Sequence, residues 1–173
     1  MFGFAGISLA ILALAQAEQS PSFGASVTVF KAACLDTDGD REALRKLASA
    51  KGWATLDFET PPSMDWAEAY ESGAGVVRLS HAPFWEEGDA FRPEQLICGV
   101  DRIDAGANWI ESVSAIEVDG EPLGAPSEVS ERYDLPAGVE VEAWELADGG
   151  RLHSTYIAAE RRLEISINYP SGF

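Results

Sequence analysis

Apolar residues recur at helical spacing early in this chain and alternate strictly near its end. From Ala25, the spacing Val27, Phe30 and Cys34, with Ala33 beside it, lays one apolar stripe along a short helix. Asp36-Thr37-Asp38-Gly39-Asp40 breaks that helix, and Thr37 or Asp40 caps a second one running to about Lys51. On this second helix Ala43, Leu44, Leu47 and Ala48 face inward, while Arg41, Glu42, Arg45, Lys46 and Ser49 face out. Glu42 and Lys46 form a favourable i,i+4 pair, and Gly52 is suited to the left-handed stop.

The middle of the chain is mixed. Trp53–Phe58 alternates as a strand and ends at Pro61-Pro62. Ser63 is placed to cap a short helix over Met64–Tyr70. Gly73 and Gly75 introduce a strand at Val76–Leu79, and His81–Glu94 reads as a turn-rich segment with exposed charge and three aromatics. Gln95–Val100 is a strand with Leu96, Cys98 and Val100 on one face. Trp109, Val113 and Ile116 return to helical spacing between Ala105 and Val118, and Asp119–Ser130 reads as a loop too rich in Pro and Gly to hold an element.

The last third is a meander. Gly138–Leu146 and Arg151–Ala159 alternate across a turn at Asp148-Gly149-Gly150. A third run follows from Arg161, with Leu163, Ile165, Ile167 and Tyr169 on one face. The predicted fold is therefore α+β, with helices packed on one face of a largely antiparallel sheet.

Residues 1–17 stand apart from this pattern. Phe2–Ala15 is an apolar, uncharged run of roughly 14 residues, shorter than the ~20 of a membrane span, and Ala15-Gln16-Ala17 has the small-x-small form of a signal-peptide cleavage site. Its flank carries no Lys or Arg, so a retained anchor or a core helix is the competing reading. Cleavage after Ala17 leaves a flexible lead-in over 18–24 and one domain over 25–173. Export predicts a periplasmic or secreted protein with no stable membrane association after cleavage. The formal charge of −17 falls wholly outside residues 1–17 and argues against nucleic acid and anionic lipid as partners.

The two cysteines carry the clearest chemistry. Cys34 and Cys98 lie roughly 64 positions apart, with no second Cys-x-x-Cys and no histidine placed to make a zinc site. In an oxidising compartment two buried cysteines pair, so a structural disulfide between them is expected, ahead of a redox-active pair. Alternating Asp36, Asp38 and Asp40 imitate the start of a calcium loop, but its sixth position is Arg41 and its twelfth Leu47, so no metal or other cofactor is assigned. Neither His81 nor His153 sits in a catalytic motif, and both are expected to be solvated. Trp53, Trp109 and Trp144 fall in periodic segments and read as core. Trp66 and Trp85 read as loop residues, and with His81 and Phe84 they make the candidate exposed binding patch.

The block F-x-x-A-C-L at Phe30–Leu35, the capped helix after it and Gly52-Trp53 resemble a group of small exported bacterial proteins of unknown function. In those a second cysteine lies in a central strand, as Cys98 does here. The resemblance implies a periplasmic or secreted domain and brings no catalytic residues. The functional expectation is a non-catalytic exported domain that binds a protein or small ligand through loops 61–72, 81–94 and 119–131. The alternative is a small periplasmic hydrolase using a carboxylate pair with His81.

Overall fold

A computed structural model describes residues 22–87, 90–92, 94–127, 135–147 and 149–170. The apolar run and the cleavage signature lie outside the described residues. The first helix, α1 (Phe23–Phe30), starts earlier than its apolar stripe predicts, because the Ser22 hydroxyl accepts from the Ala25 N–H. Phe23 and Gly24 therefore belong to the helix and not to a flexible lead-in. The helix continues into a wider π turn (Lys31–Leu35), closed by the Asp36 N–H on the Lys31 carbonyl at 2.8 Å. Phe30, Ala33 and Cys34 are all fully buried along it.

Asp40 is the cap of α2 (Arg41–Lys51), accepting from the Ala43 N–H at 2.6 Å, while Thr37 bonds back to the Ala33 carbonyl. Gly52 ends α2 with φ 68°, where a side chain would be strained. The Glu42–Lys46 pair closes at 3.1 Å on the outer face. Leu44 and Ala48 are the buried pair of the inward stripe.

The strands are β1 (Ala54–Leu56), β2 (Trp66–Glu71), β3 (Val76–Ala82), β4 (Trp85–Glu87), β5 (Ala90–Arg92) and β6 (Gln95–Asp104). After the short helix α3 (Trp109–Ser114) come β7 (Glu117–Val118), β8 (Glu121–Pro122), β9 (Val139–Glu145), β10 (Arg151–Ile157) and β11 (Arg162–Pro170). Seven of them form one sheet in the order β1-β2-β3-β6-β11-β10-β9, every neighbouring pair antiparallel. The fold is α+β, and β9-β10-β11 is the expected meander. Leu163, Ile165, Ile167 and Tyr169 line its buried face.

Three expectations are corrected. The helix predicted over Met64–Tyr70 is strand β2, because Trp66, Glu68 and Tyr70 alternate with Ala67, Ala69 and Glu71 and the whole run pairs with β3. The segment 81–94 is more regular than a turn: His81 lies within β3, and β4 pairs with β5 as a hairpin. The loop predicted from Asp119 contains the β7–β8 hairpin, turned by Asp119 and Gly120 at φ 53° and 85°, the positive pair that a tight two-residue turn requires.

Cross-strand register explains why one face of the sheet is so apolar. Glu68, Leu79, Cys98, Ile167, Leu152 and Trp144 form one continuous row across six strands. All but Glu68 are at most 1% exposed. The helices cover this row with Phe30, Ala33, Cys34, Leu44, Trp109 and Val113. Cys34 and Cys98 are joined by a disulfide with Cα atoms 5.5 Å apart, so the covalent link runs from the helical layer to the central strand. Closing a loop of 64 residues stabilises the fold by about 4 kcal/mol in the chain-entropy account.

A bulge in β6 extends this face beyond the predicted Val100 end. Val100 and Ile103 both point into the core although three residues apart, because Arg102 adopts φ 63° and the register with β11 shifts there. Asp101, next to inward Val100, lies on the opposite face by ordinary alternation, and the shift after it turns Ile103 back into the core.

Candidate binding face

The end row of the sheet is Trp66, His81, Leu96 and Tyr169, one pair of residues beyond the row through Cys98. Its β2–β3 corner brings two of the expected patch residues together. Trp66 and His81 lie directly opposite one another, and their rings stack at 6.0 Å with a 10° interplanar angle. Trp66 is thus a half-buried strand residue and not a loop residue. The Arg41 guanidinium covers it at 4.1 Å from the ring centre, a cation–π contact from the first turn of α2.

His81 is gripped on both sides. Its Nδ1 lies 3.1 Å from an Asp65 oxygen and its Nε2 lies 2.7 Å from a Glu94 oxygen. A neutral imidazole has one N–H to donate, whereas an imidazolium donates to both carboxylates. The arrangement ties the segment before β2 to the start of β6 through a β3 side chain. Beyond Ala82 the chain passes into Phe84 and Trp85, which are 59% and 45% exposed. With Leu135 they are the exposed large apolar side chains among the described residues. His81 is therefore not a freely solvated histidine, while Phe84 and Trp85 face solvent.

Below Trp66 the same strand face holds Glu68, which accepts from Arg41 Nε at 2.5 Å, from Arg45, and from the Tyr70 hydroxyl at 2.8 Å. Burial alone disfavours the Glu68 charge, but the donors from Arg45, Tyr70 and Arg41 outweigh it and hold the carboxyl below its usual range. Burial, then the bond to Glu68, raises the Tyr70 hydroxyl. This network fixes α2 on β2 and so positions Arg41 over Trp66.

The opposite face of the sheet carries a second charged group. Asp101, 4% exposed, meets Arg78 at 2.7 Å and Arg162 at 3.5 Å, and its other role is to accept the Arg102 N–H. Glu164 sits beside them, and burial, reinforced by Asp101, pushes its carboxyl upward against the pull of Arg78 and Arg162. His153, on the neighbouring strand, is half-buried and not solvated. Burial, with help from Arg151, pushes it downward. Asp101 was invisible to periodicity, since a charged residue past the predicted end of a strand reads as surface.

Trp109 and Trp144 are core residues, each with its indole N–H satisfied: Trp109 by Glu140 at 2.9 Å and Trp144 by the Gly124 carbonyl at 3.0 Å. Asp36, Asp38 and Asp40 form a turn and a cap, and among the described residues no three His, Cys, Asp or Glu side chains converge as metal ligands. No helix among them is long and apolar enough to cross a membrane. No protein-family model matches the chain, and no curated protein or solved structure shows significant similarity to it.

Proposed function

We propose that this chain is an exported, disulfide-tied binding domain that holds a protein or small-ligand partner at its β2–β3 corner. One observation carries the reading: Phe84 and Trp85 stand exposed beside a histidine that is clamped by two carboxylates and stacked on Trp66. Exposed aromatics beside a braced support suit a docking surface, because large rings bury much apolar area for few rotatable bonds. The disulfide supports export to a periplasmic or extracellular space, where such bonds persist. The test is photocrosslinking in the producing cell, with benzoylphenylalanine in place of Phe84 and, as control, in place of Glu111 on α3. A discrete adduct from position 84 alone is expected; identical adducts from both positions, or none from 84, would sink the reading.

A second reading is favoured by the convergence of His81 with Asp65 and Glu94, the histidine and acid pair a small hydrolase would use. Both ring nitrogens are already bonded, so catalysis would require one carboxylate to release its nitrogen to a substrate. Turnover of an ester or glycoside that disappears in both Asp65→Asn and His81→Gln would favour this reading over simple binding.

A further inference from the structure

A cleft of about 540 Å³ opens on the β11–β9 side of the same sheet end. Its floor is Ile167 and Tyr169, and its apolar walls include Leu35, Leu123 and Leu146. Four exposed carboxylates stand at its rim: Asp38, Asp119, Glu121 and Glu145. Among the described residues only Glu145 of these is in an ion pair, with Arg151 at 3.0 Å. The rim acids come from three separate segments, the turn before α2, the β7–β8 hairpin and the end of β9.

The cleft is preformed. The Tyr169 hydroxyl donates to the Cys34 carbonyl at 2.5 Å, Leu35 follows the disulfide directly, and Ile167 is paired with Cys98 across the strands. The hairpin wall is pinned by Leu123 N–H to the Ile116 carbonyl at 3.0 Å and by Trp144 to Gly124. Gly39 packs so closely that a Cβ there would meet Tyr169 at 2.9 Å. The volume lies within the ~300–1,000 Å³ of ligand-binding clefts.

We propose that this cleft seats a cationic amphipathic peptide segment of a partner protein. Its apolar side chains lie against the half-buried Leu35, Leu123 and Leu146, and its Lys or Arg side chains reach Asp38, Asp119 and Glu121. The charge is complementary, and the spread of the acids over three segments matches a ligand with several separated cations better than a single ammonium head. The net charge of −17 adds long-range attraction for such a ligand. This surface is independent of the aromatic corner.

The experiment is titration of the full mature chain, at low ionic strength, with a synthetic decapeptide alternating Lys and Leu and with its Gln-for-Lys counterpart. The Lys peptide is expected to bind and the Gln peptide to bind about tenfold or more weaker. Neutralising the rim in Asp38→Asn/Asp119→Asn/Glu121→Gln should weaken the Lys peptide roughly tenfold. The control Glu42→Gln/Glu59→Gln/Glu111→Gln removes the same charge elsewhere and should cost about twofold or less. Asn is tolerated at positions 38 and 119, whose φ values are 52° and 53°. Hydrogen exchange of the unmodified chain should slow on binding at 118–123 and 145–147, and Leu123→Asn should weaken binding with no change in net charge. Phe84→Ser/Trp85→Ser should leave it unchanged, which separates this site from the corner. Equal weakening by the two triple variants, equal binding of the two peptides, or protection confined to other segments would overturn the proposal.

Discussion

Two neighbouring rows of the same sheet are held by different physics. The row through Cys98 is apolar from Leu79 to Trp144 and is bolted to the helical layer by the disulfide. The row beyond it, from Trp66 through His81 and Leu96 to Tyr169, is held by ring stacking, carboxylates on an imidazole and a hydroxyl on a backbone carbonyl. The apolar stretch of the inner row, Leu79 to Trp144, supplies stability that is indifferent to salt and mild acid. The outer row supplies polar and aromatic groups at a surface, oriented by the rigid row behind them. A small domain can thus keep chemistry at its margin because its centre does not depend on it.

Breaking the inner row should give the largest effect. The double variant Cys34→Ala/Cys98→Ala is expected to lose about 4 kcal/mol of unfolding free energy, read by denaturant titration. Removing Glu68, the ionic end of the inner row that braces Arg41 over Trp66, should cost less: Glu68→Ala strands two guanidinium groups and a hydroxyl, with an expected loss of about 1–2 kcal/mol. Because the folded-state carboxyl of Glu68 is lowered, its contribution is complete above the ordinary carboxylate range and disappears as pH falls through the folded value. The difference between the parent and Glu68→Gln should therefore close in acid.

The far face of the sheet gives an opposite sign. Glu164 is raised by burial, so ionising it in the folded state costs stability as pH rises through the window above its unfolded value. Glu164→Gln should be more stable than the parent at neutral pH, and the gain should vanish below the ordinary carboxylate range. His153 is lowered, so the unfolded chain takes up its proton first and stability falls as pH drops below the ordinary histidine value. In His153→Gln that acid-side slope should flatten, a smaller change best seen in melting curves between neutral and mildly acidic pH. Smallest of all, Phe84→Ser/Trp85→Ser should change stability by about 0.5 kcal/mol or less, since both side chains are largely in water.

The parts read well from sequence are those whose signals are local. Asp40, the inward stripe of α2 and Gly52 are a cap, a period and a stop in one short stretch. The meander declares itself through Leu163, Ile165, Ile167 and Tyr169. The Cys34–Cys98 pairing was legible because only two cysteines exist and each lies on an apolar face. Where two local signals compete, reading fails. In 64–70 the alanines and a possible Ser63 cap favour helix, yet the large residues Trp66, Glu68 and Tyr70 alternate, and pairing with β3 decides for strand. At Asp119-Gly120 the hairpin signal was present but submerged in a Pro- and Gly-rich segment. The cleft and the grip on His81 had no local signal at all: Leu35, Leu123, Leu146 and Tyr169 meet only once the sheet order is known, as do Asp65 and Glu94.

One covalent link holds the helical layer on the sheet and fixes both surfaces at its end. The most direct measurement is the unfolding free energy of one preparation before and after reduction, with intact mass after alkylation of the unfolded chain. Neither cysteine should be alkylated without reductant, and reduction should lower stability by about 4 kcal/mol. Alkylation of both cysteines in the unreduced chain, or an unfolding curve that reduction does not move, would contradict it.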